Sequence, residues 1–143
     1  MKVILTQTDT TVGFISTDEQ RLKKLKSRSS KKPFIKVFNT LSALKSANIR
    51  VPNKFKNHIR RSKKTTFIVK NQAFRVAKYP LNSQVLRDMK WHYSTSANQS
   101  GKDFCLSFCE QKADIIIEDR FGLSQNSSSS LYKINQTKRR KIR

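Results

Sequence analysis

The sequence predicts one α/β domain around a twisted sheet with flanking helices, and three observations predict it. The chain has 143 residues, enough for one domain with a real hydrophobic core. Short β-rich segments alternate with short helical patterns along its length. Neither an internal repeat nor a convincing linker interrupts that alternation, so residues 1–143 read as a single unit.

Val3 to Gln7 is β-rich and reads as a strand that ends in Thr8-Asp9-Thr10-Thr11, with Gly13 allowing a turn. Thr17 reads as the N-cap of a short helix, Gln20 to Leu25, with Asp18 and Glu19 at its positive end. Leu22 and Leu25 face inward on it. Lys26 to Lys32 is basic and serine-rich, and Pro33 blocks helix continuation. Phe34 to Phe38 alternates like a strand, and Thr40 can cap a helix over Leu41 to Ala47. Pro52 opens a basic helix, Asn53 to Arg61, whose Phe55 and Ile59 share the inner side. Thr65 to Val69 and Ala73 to Ala77 read as paired strands joined by Lys70-Asn71-Gln72, and Pro80 closes that unit.

Ser83 to Met89 reads as a turn or two of helix. Tyr93-Ser94-Thr95-Ser96-Ala97-Asn98-Gln99-Ser100-Gly101 reads as a polar turn leading into a helix over Lys102 to Gln111. Such a turn has two readings: a serine-rich loop that caps the helix, or a phosphate site on unpaired N–H groups at a helix start. Ala113 to Glu118 follows as a buried strand. Gln125 to Ser130 is a low-complexity, flexible polar loop. Leu131 to Ile134 and Arg139 to Ile142 finish the sheet.

Composition narrows the function. Thirty-one Lys and Arg stand against nine Asp and Glu, a formal charge of +22. That surplus repels itself unless polyanions or phosphates are nearby, so nucleic acid, nucleotide or an anionic surface is the expected partner. The longest aliphatic run is Ile115-Ile116-Ile117, far short of the ~20 residues of a spanning helix. Met1 to Leu5 is too short for a signal peptide's apolar region. A cytoplasmic protein that enters no membrane is expected. Cys105 and Cys109 are four apart and read as buried thiols, and His58 and His92 are isolated in sequence, so no metal site is expected. The three glycines, at 13, 101 and 122, form neither a Walker A loop nor a dinucleotide turn. Few carboxylates argue against hydrolysis by paired acids.

Taken in order, the pieces carry a resemblance. They are Thr8-Asp9-Thr10 with Gly13, Lys26-x-Arg28 with Lys32-Pro33, Thr66-Phe67, Phe74-Arg75-Val76 with Pro80-Leu81, and Ser94-Thr95-Ser96-Ala97-Asn98-x-Ser100-Gly101. The tail adds Ala113-Asp114-Ile115-Ile116, the serines 127 to 130 before Leu131, and Lys141-Ile142-Arg143. This resembles the YrdC-like family, the threonylcarbamoyl-AMP synthases that begin the threonylcarbamoyladenosine (t6A) modification of tRNA. The chain departs from the pattern in several places. Gln7 stands for a proline, Thr11-Val12 for an aliphatic-aromatic pair, and Ser62-Lys63-Lys64 for a Pro-Gly-Pro turn. The leader before Thr8 and the Gly13 to Lys26 interval are also short, which marks a minimised, basic member.

The resemblance implies an open mixed sheet with a large basic concave surface. It implies the substrates ATP, L-threonine and bicarbonate, with Mg²⁺ accompanying ATP, and proteins downstream that transfer the threonylcarbamoyl group. It implies a catalytic tetrad of Lys26, Arg28, Ser96 and Asn98. Thr8, Thr10 and Arg75 match substrate-side positions, and Ser94, Ser96, Asn98, Ser128, Ser129 and Arg143 match positions near the nucleotide. An alternative of another class is a non-catalytic protein that keeps the fold and binds double-stranded RNA or tRNA. Charge favours it. Against it, base stacking wants exposed aromatics, and Phe34, Phe38, Phe55, Phe67 and Phe74 fall at core positions.

Overall fold

The computed structural model describes residues 2–27, 34–76 and 89–143. Expectations for Arg28, Pro33, Pro80, Leu81 and the segment 83–88 lie outside them. The described chain runs β1 (Ile4–Gln7), β2 (Val12–Ser16), α1 (Glu19–Lys26), β3 (Ile35–Phe38), a 3₁₀ helix (Ser42–Ala47), α2 (Asn53–Arg61), β4 (Thr65–Val69), β5 (Gln72–Val76), β6 (Trp91–Ser96), α3 (Leu106–Lys112), β7 (Ile115–Ile117), β8 (Ser130–Ile134) and β9 (Arg139–Lys141). The strands form one open nine-stranded sheet in the order β7-β1-β2-β6-β3-β5-β4-β8-β9. Three parallel pairs (β1 with β7, β3 with β5, β4 with β8) stand among five antiparallel ones, so the sheet is mixed as expected.

Side-chain alternation along the strands gives the sheet two unlike faces. One face is apolar and covered by helices. Val3, Leu5, Val12, Phe14 and Phe34 cluster there with Leu22 of α1 and Cys109 of α3. A second cluster joins Phe38, Phe67, Phe74, Val76 and Ile134 to Leu44 of the 3₁₀ helix and to Phe55 and Ile59 of α2. All five phenylalanines assigned to the core are buried. The alternate residues, including Ser94, Ser96, Thr66 and Arg75, point to the opposite, open face.

Several boundaries differ from expectation. Asp18, not Thr17, caps α1: its Oδ1 accepts from the Arg21 N–H at 3.1 Å. Gly13 lies inside β2 rather than in a turn, and the reversal falls at Thr8–Thr11, where the Thr8 N–H bonds the Thr11 carbonyl at 3.2 Å. A Cβ at Gly13 would sit 3.0 Å from the Thr95 carbonyl and 3.1 Å from Thr8 Cγ2, so glycine here serves close strand approach. The β4–β5 hairpin turns on two residues, Lys70 and Asn71, both at positive φ, and Gln72 already belongs to β5.

The largest correction concerns Tyr93–Gly101. Trp91–Ser96 is a strand, hydrogen-bonded to β2 and β3, and only the residues after it form a turn. Hydroxyl side chains obscured that strand because they line a polar face instead of a core. The helix expected from Lys102 begins at Leu106, so no helix start follows Gly101 and the turn is not a helical anion site. Ala113–Glu118 shrinks to Ile115–Ile117 at an outer edge, where Ile116 is 43% exposed instead of buried. Cys109 is buried as expected, but Cys105 is exposed, because it precedes α3. The Gln125–Ser130 loop is pinned: Phe104 N–H donates to Gln125 Oε1 at 2.7 Å, and Asn126 N–H to Thr11 Oγ1 at 3.0 Å. Among the described residues no helix is long and apolar enough to cross a membrane.

Candidate functional site

The open face carries a cavity of about 410 Å³. Its walls come from the β1–β2 turn (Thr8, Thr10), β6 (Ser94, Ser96), β5 (Arg75), β4 (Thr66), the segment before β8 (Ser128, Ser129) and Arg143. Thus Thr8, Thr10, Arg75, Ser94, Ser96, Ser128, Ser129 and Arg143, picked from separate stretches, surround one space. Asn98 lines an adjoining cavity of about 310 Å³, which shares Ser96 and Ser128 with the first. Arg28 lies outside the described residues.

Lys26 ends α1 and is buried at 6% exposure. Its ammonium donates to the Ser96 carbonyl at 2.9 Å, the Asn98 carbonyl at 2.7 Å and Asn98 Oδ1 at 2.6 Å. Ser96 Oγ donates to the same Oδ1 at 2.8 Å, and Asn98 Nδ2 donates to the Lys102 carbonyl. Ser100 Oγ closes the unit on the Lys26 carbonyl at 2.8 Å. Lys26, Ser96 and Asn98, which the resemblance groups together, therefore form one bonded constellation. Its geometry gives Lys26 the task of shaping the turn, with its hydrogens directed to protein oxygens.

Arg75 is buried within β5, and its Nε lies 2.9 Å from Asp9 Oδ1 as an ion pair. Burial pushes the Asp9 carboxyl above the usual carboxylate range, while the Arg75 guanidinium pulls the other way. Burial likewise lowers Arg75, against the favourable field of Asp9. Arg75 Nη1 donates to Thr66 Oγ1 at 3.3 Å, which shares a hydrogen bond with Ser129 Oγ at 2.8 Å. Arg143 Nε donates to the Ser129 carbonyl at 3.1 Å. A polar chain thus runs from the β1–β2 turn across two strands to the segment before β8. Beneath the face lies His92, fully buried opposite Val37, with its pKa pushed down to about 4 mainly by desolvation. It is a neutral imidazole at neutral pH.

The cavity offers hydroxyl donors and cations but little for a metal. Among the described residues no group of three or more His, Cys, Asp or Glu could hold a metal ion, and Asp9 already faces Arg75. Asp9, Thr66 and His92 were missed as site residues. Asp9 and Thr66 stand within quoted motifs, and a buried arginine on a strand demands a carboxylate, but nothing in the sequence says which carboxylate. His92 has no signal beyond its alternation with Ser94.

Comparison with known proteins gives the family and the fold. The Sua5/YciO/YrdC family model, described as "Telomere recombination", matches residues 2–143, and the chain belongs to that family. Among solved structures the fold resembles P. abyssi Sua5 complexed with L-threonine, with a TM-score of 0.82 at 17% identity, covering 99% of this chain and 50% of that one. It also resembles E. coli YciO (TM-score 0.76, 17% identity, 99% and 82% covered). A full-length HypF in a phosphate- and nucleotide-bound form gives 0.77 at 15% identity, with 99% and 26% covered. The chain therefore spans about half the length of the Sua5 chain it resembles. A search of curated proteins gives no match.

Proposed function

We propose that the chain is an L-threonylcarbamoyladenylate synthase, making threonylcarbamoyl-AMP and pyrophosphate from ATP, L-threonine and bicarbonate. The observation that carries this reading is the convergence of eight residues from separate stretches on one polar cavity of about 410 Å³. Family membership and a relative that binds L-threonine support it. In this reaction the threonine amine adds to CO₂ with loss of a proton, or to bicarbonate with loss of water, and a carbamate oxygen attacks the α-phosphorus as pyrophosphate leaves. Negative charge gathers at one place, so fixed donors aimed there lower the barrier. Arg143 and the hydroxyls of Ser94, Ser128 and Ser129 supply such donors at the nucleotide end, and Ser96 joins them by turning its hydroxyl hydrogen from Asn98 Oδ1 to the phosphate. Thr8, Thr10 and Arg75 bound the threonine end. Lys26 holds Ser96 and Asn98 in place. Mg²⁺ arrives as MgATP, since the described side chains offer it no cage.

The product would pass to threonylcarbamoyl-transfer proteins that modify tRNA in the cytoplasm. Purified protein with MgATP and bicarbonate is expected to release pyrophosphate only when L-threonine is added. Ser96→Ala is expected to lower that rate ~10²–10³-fold, the usual effect of removing one donor to developing charge. Release that ignores threonine overturns the assignment. The +22 charge supports a second reading, an RNA-binding module on the same fold. Salt-sensitive polyuridylate binding without any threonine-dependent turnover would favour that one.

A further inference from the structure

A larger cavity, about 540 Å³, lies on the helical side of the sheet, away from the site described above. The 3₁₀ helix, the link after it and α2 enclose it. Its floor is apolar: Leu44 and Ile49 belong to the aromatic cluster, and Leu41 and Val51 pack against that cluster half-buried. Its rim carries Lys45, Arg50, Lys56 and Arg60, and among the described residues no carboxylate lines it. The charge is uncompensated on a larger scale too. No Asp or Glu occurs between Glu19 and Asp88, and the ion pairs among the described residues involve none of these four cations. Three of the four are exposed, and Arg60 meets only the neutral Asn57 amide oxygen at 3.1 Å in the hydrogen bonds it makes.

We propose that this cleft docks an acidic amphipathic helix of a partner protein, with aliphatic side chains on the floor and carboxylates against the rim. Charge complementarity selects the occupant. A small anion with a single head group would leave most of the cations unmatched, whereas a helix with carboxylates flanking its apolar stripe meets all four. Nucleic acid fits less well, because the described lining residues include no aromatic face for a base and an aliphatic floor gives a sugar-phosphate backbone nothing. Helix-in-groove recognition uses this combination of apolar anchors at i, i+3, i+4 and i+7 with a charged border. The surface is independent of the proposed catalytic cavity and would tether the protein to a partner without blocking that cavity.

The test uses a labelled peptide of leucine and glutamate with leucines on one helical face, and a scrambled peptide of equal composition. Binding is followed by fluorescence anisotropy at about 0.15 M ionic strength, where distant charges are screened. The facial peptide is expected to bind about tenfold more tightly than the scrambled one, a difference of about 1.4 kcal/mol. The double variant Lys45→Glu/Arg60→Glu is expected to lose at least about tenfold. Lys133→Glu/Arg140→Glu, an equal charge change on exposed positions of β8 and β9, should lose much less. Leu41→Ser, which keeps the charge, should erase the preference for the facial peptide. Ser96→Ala should leave peptide affinity unchanged, which separates this site from the catalytic reading. Equal binding of the two peptides, or equal losses in the two double variants, overturns the proposal by reducing it to general attraction. Polyuridylate that outcompetes the facial peptide and depends on Lys45 and Arg60 overturns it in favour of RNA.

Discussion

Among the described residues two cations are buried, Lys26 at the end of α1 and Arg75 in β5, and they are held in different ways. Lys26, at 6% exposure, donates to the Ser96 and Asn98 carbonyls and to Asn98 Oδ1, all uncharged oxygens. Arg75, at 4%, faces the Asp9 carboxylate. The first arrangement shapes a turn: remove the ammonium and three dipoles lose a donor. The second joins β5 to the β1–β2 turn through two charges, each costly to bury alone. The first region is therefore held by backbone geometry, and the second by charge balance.

Breaking the charge balance should be the larger injury. Arg75→Met strands a buried carboxylate and is expected to lower unfolding free energy in urea by about 3–5 kcal/mol. The double variant Asp9→Asn/Arg75→Met should recover part of that loss. A mild single variant would mean that water or another cation reaches Asp9 and that the pair is not the organising contact.

Acid gives the next effect. His92 has a folded-state pKa of about 4 against an ordinary 6.5, lowered by burial and further by the charge of Arg75. The unfolded chain therefore binds this proton more readily, so the stability is present above pH 6.5 and falls away as pH drops toward 4, by roughly 3 kcal/mol. Asp9 is shifted upward and acts with the opposite sign, its contribution fading as pH rises above the ordinary carboxylate value. His58 is also lowered, by burial and Arg139. Urea titrations from pH 7 to pH 4 should show a steeper loss for the native chain than for His92→Gln. Parallel curves would remove His92 as the cause.

The smallest effect on stability is expected at the uncharged cage. Lys26→Met leaves carbonyls without a donor and should cost about 1–3 kcal/mol, below the Arg75→Met value, while turnover falls sharply because Ser96 and Asn98 lose their anchor. Losses equal to those of Arg75→Met would erase the distinction between the two regions.

How much of this was legible depends on what each residue faces. Strands with an apolar face, such as Phe34–Phe38 and Thr65–Val69, could be read from alternation, as could α2 from Phe55 and Ile59. β6 could not, because Ser94, Thr95 and Ser96 alternate among hydroxyls and a strand facing a polar cavity looks like a loop. β2 was hidden by Gly13, whose role is interstrand proximity rather than a turn. The grouping of Lys26, Ser96 and Asn98 came from the family resemblance, while the bonds of the Lys26 ammonium to protein oxygens had no signal in the sequence. The pairing of Asp9 with Arg75 was out of reach, since no local pattern links a turn after β1 to the middle of β5.

The strand order also sets a schedule for synthesis. β1, at the start of the chain, takes its outer neighbour from Ile115–Ile117, and Val3 N–H is capped by Asp114 Oδ2 at 2.7 Å. β4 likewise pairs in parallel with Ser130–Ile134. Contacts of such long separation form slowly, because the loop must close before the pairing rewards it. On the ribosome, β1 and β4 therefore emerge with β2 and β5 close behind but long before β7 and β8, each with one open row of backbone donors and acceptors. Until residues 115–134 are made, each of these two strands keeps one unsealed seam.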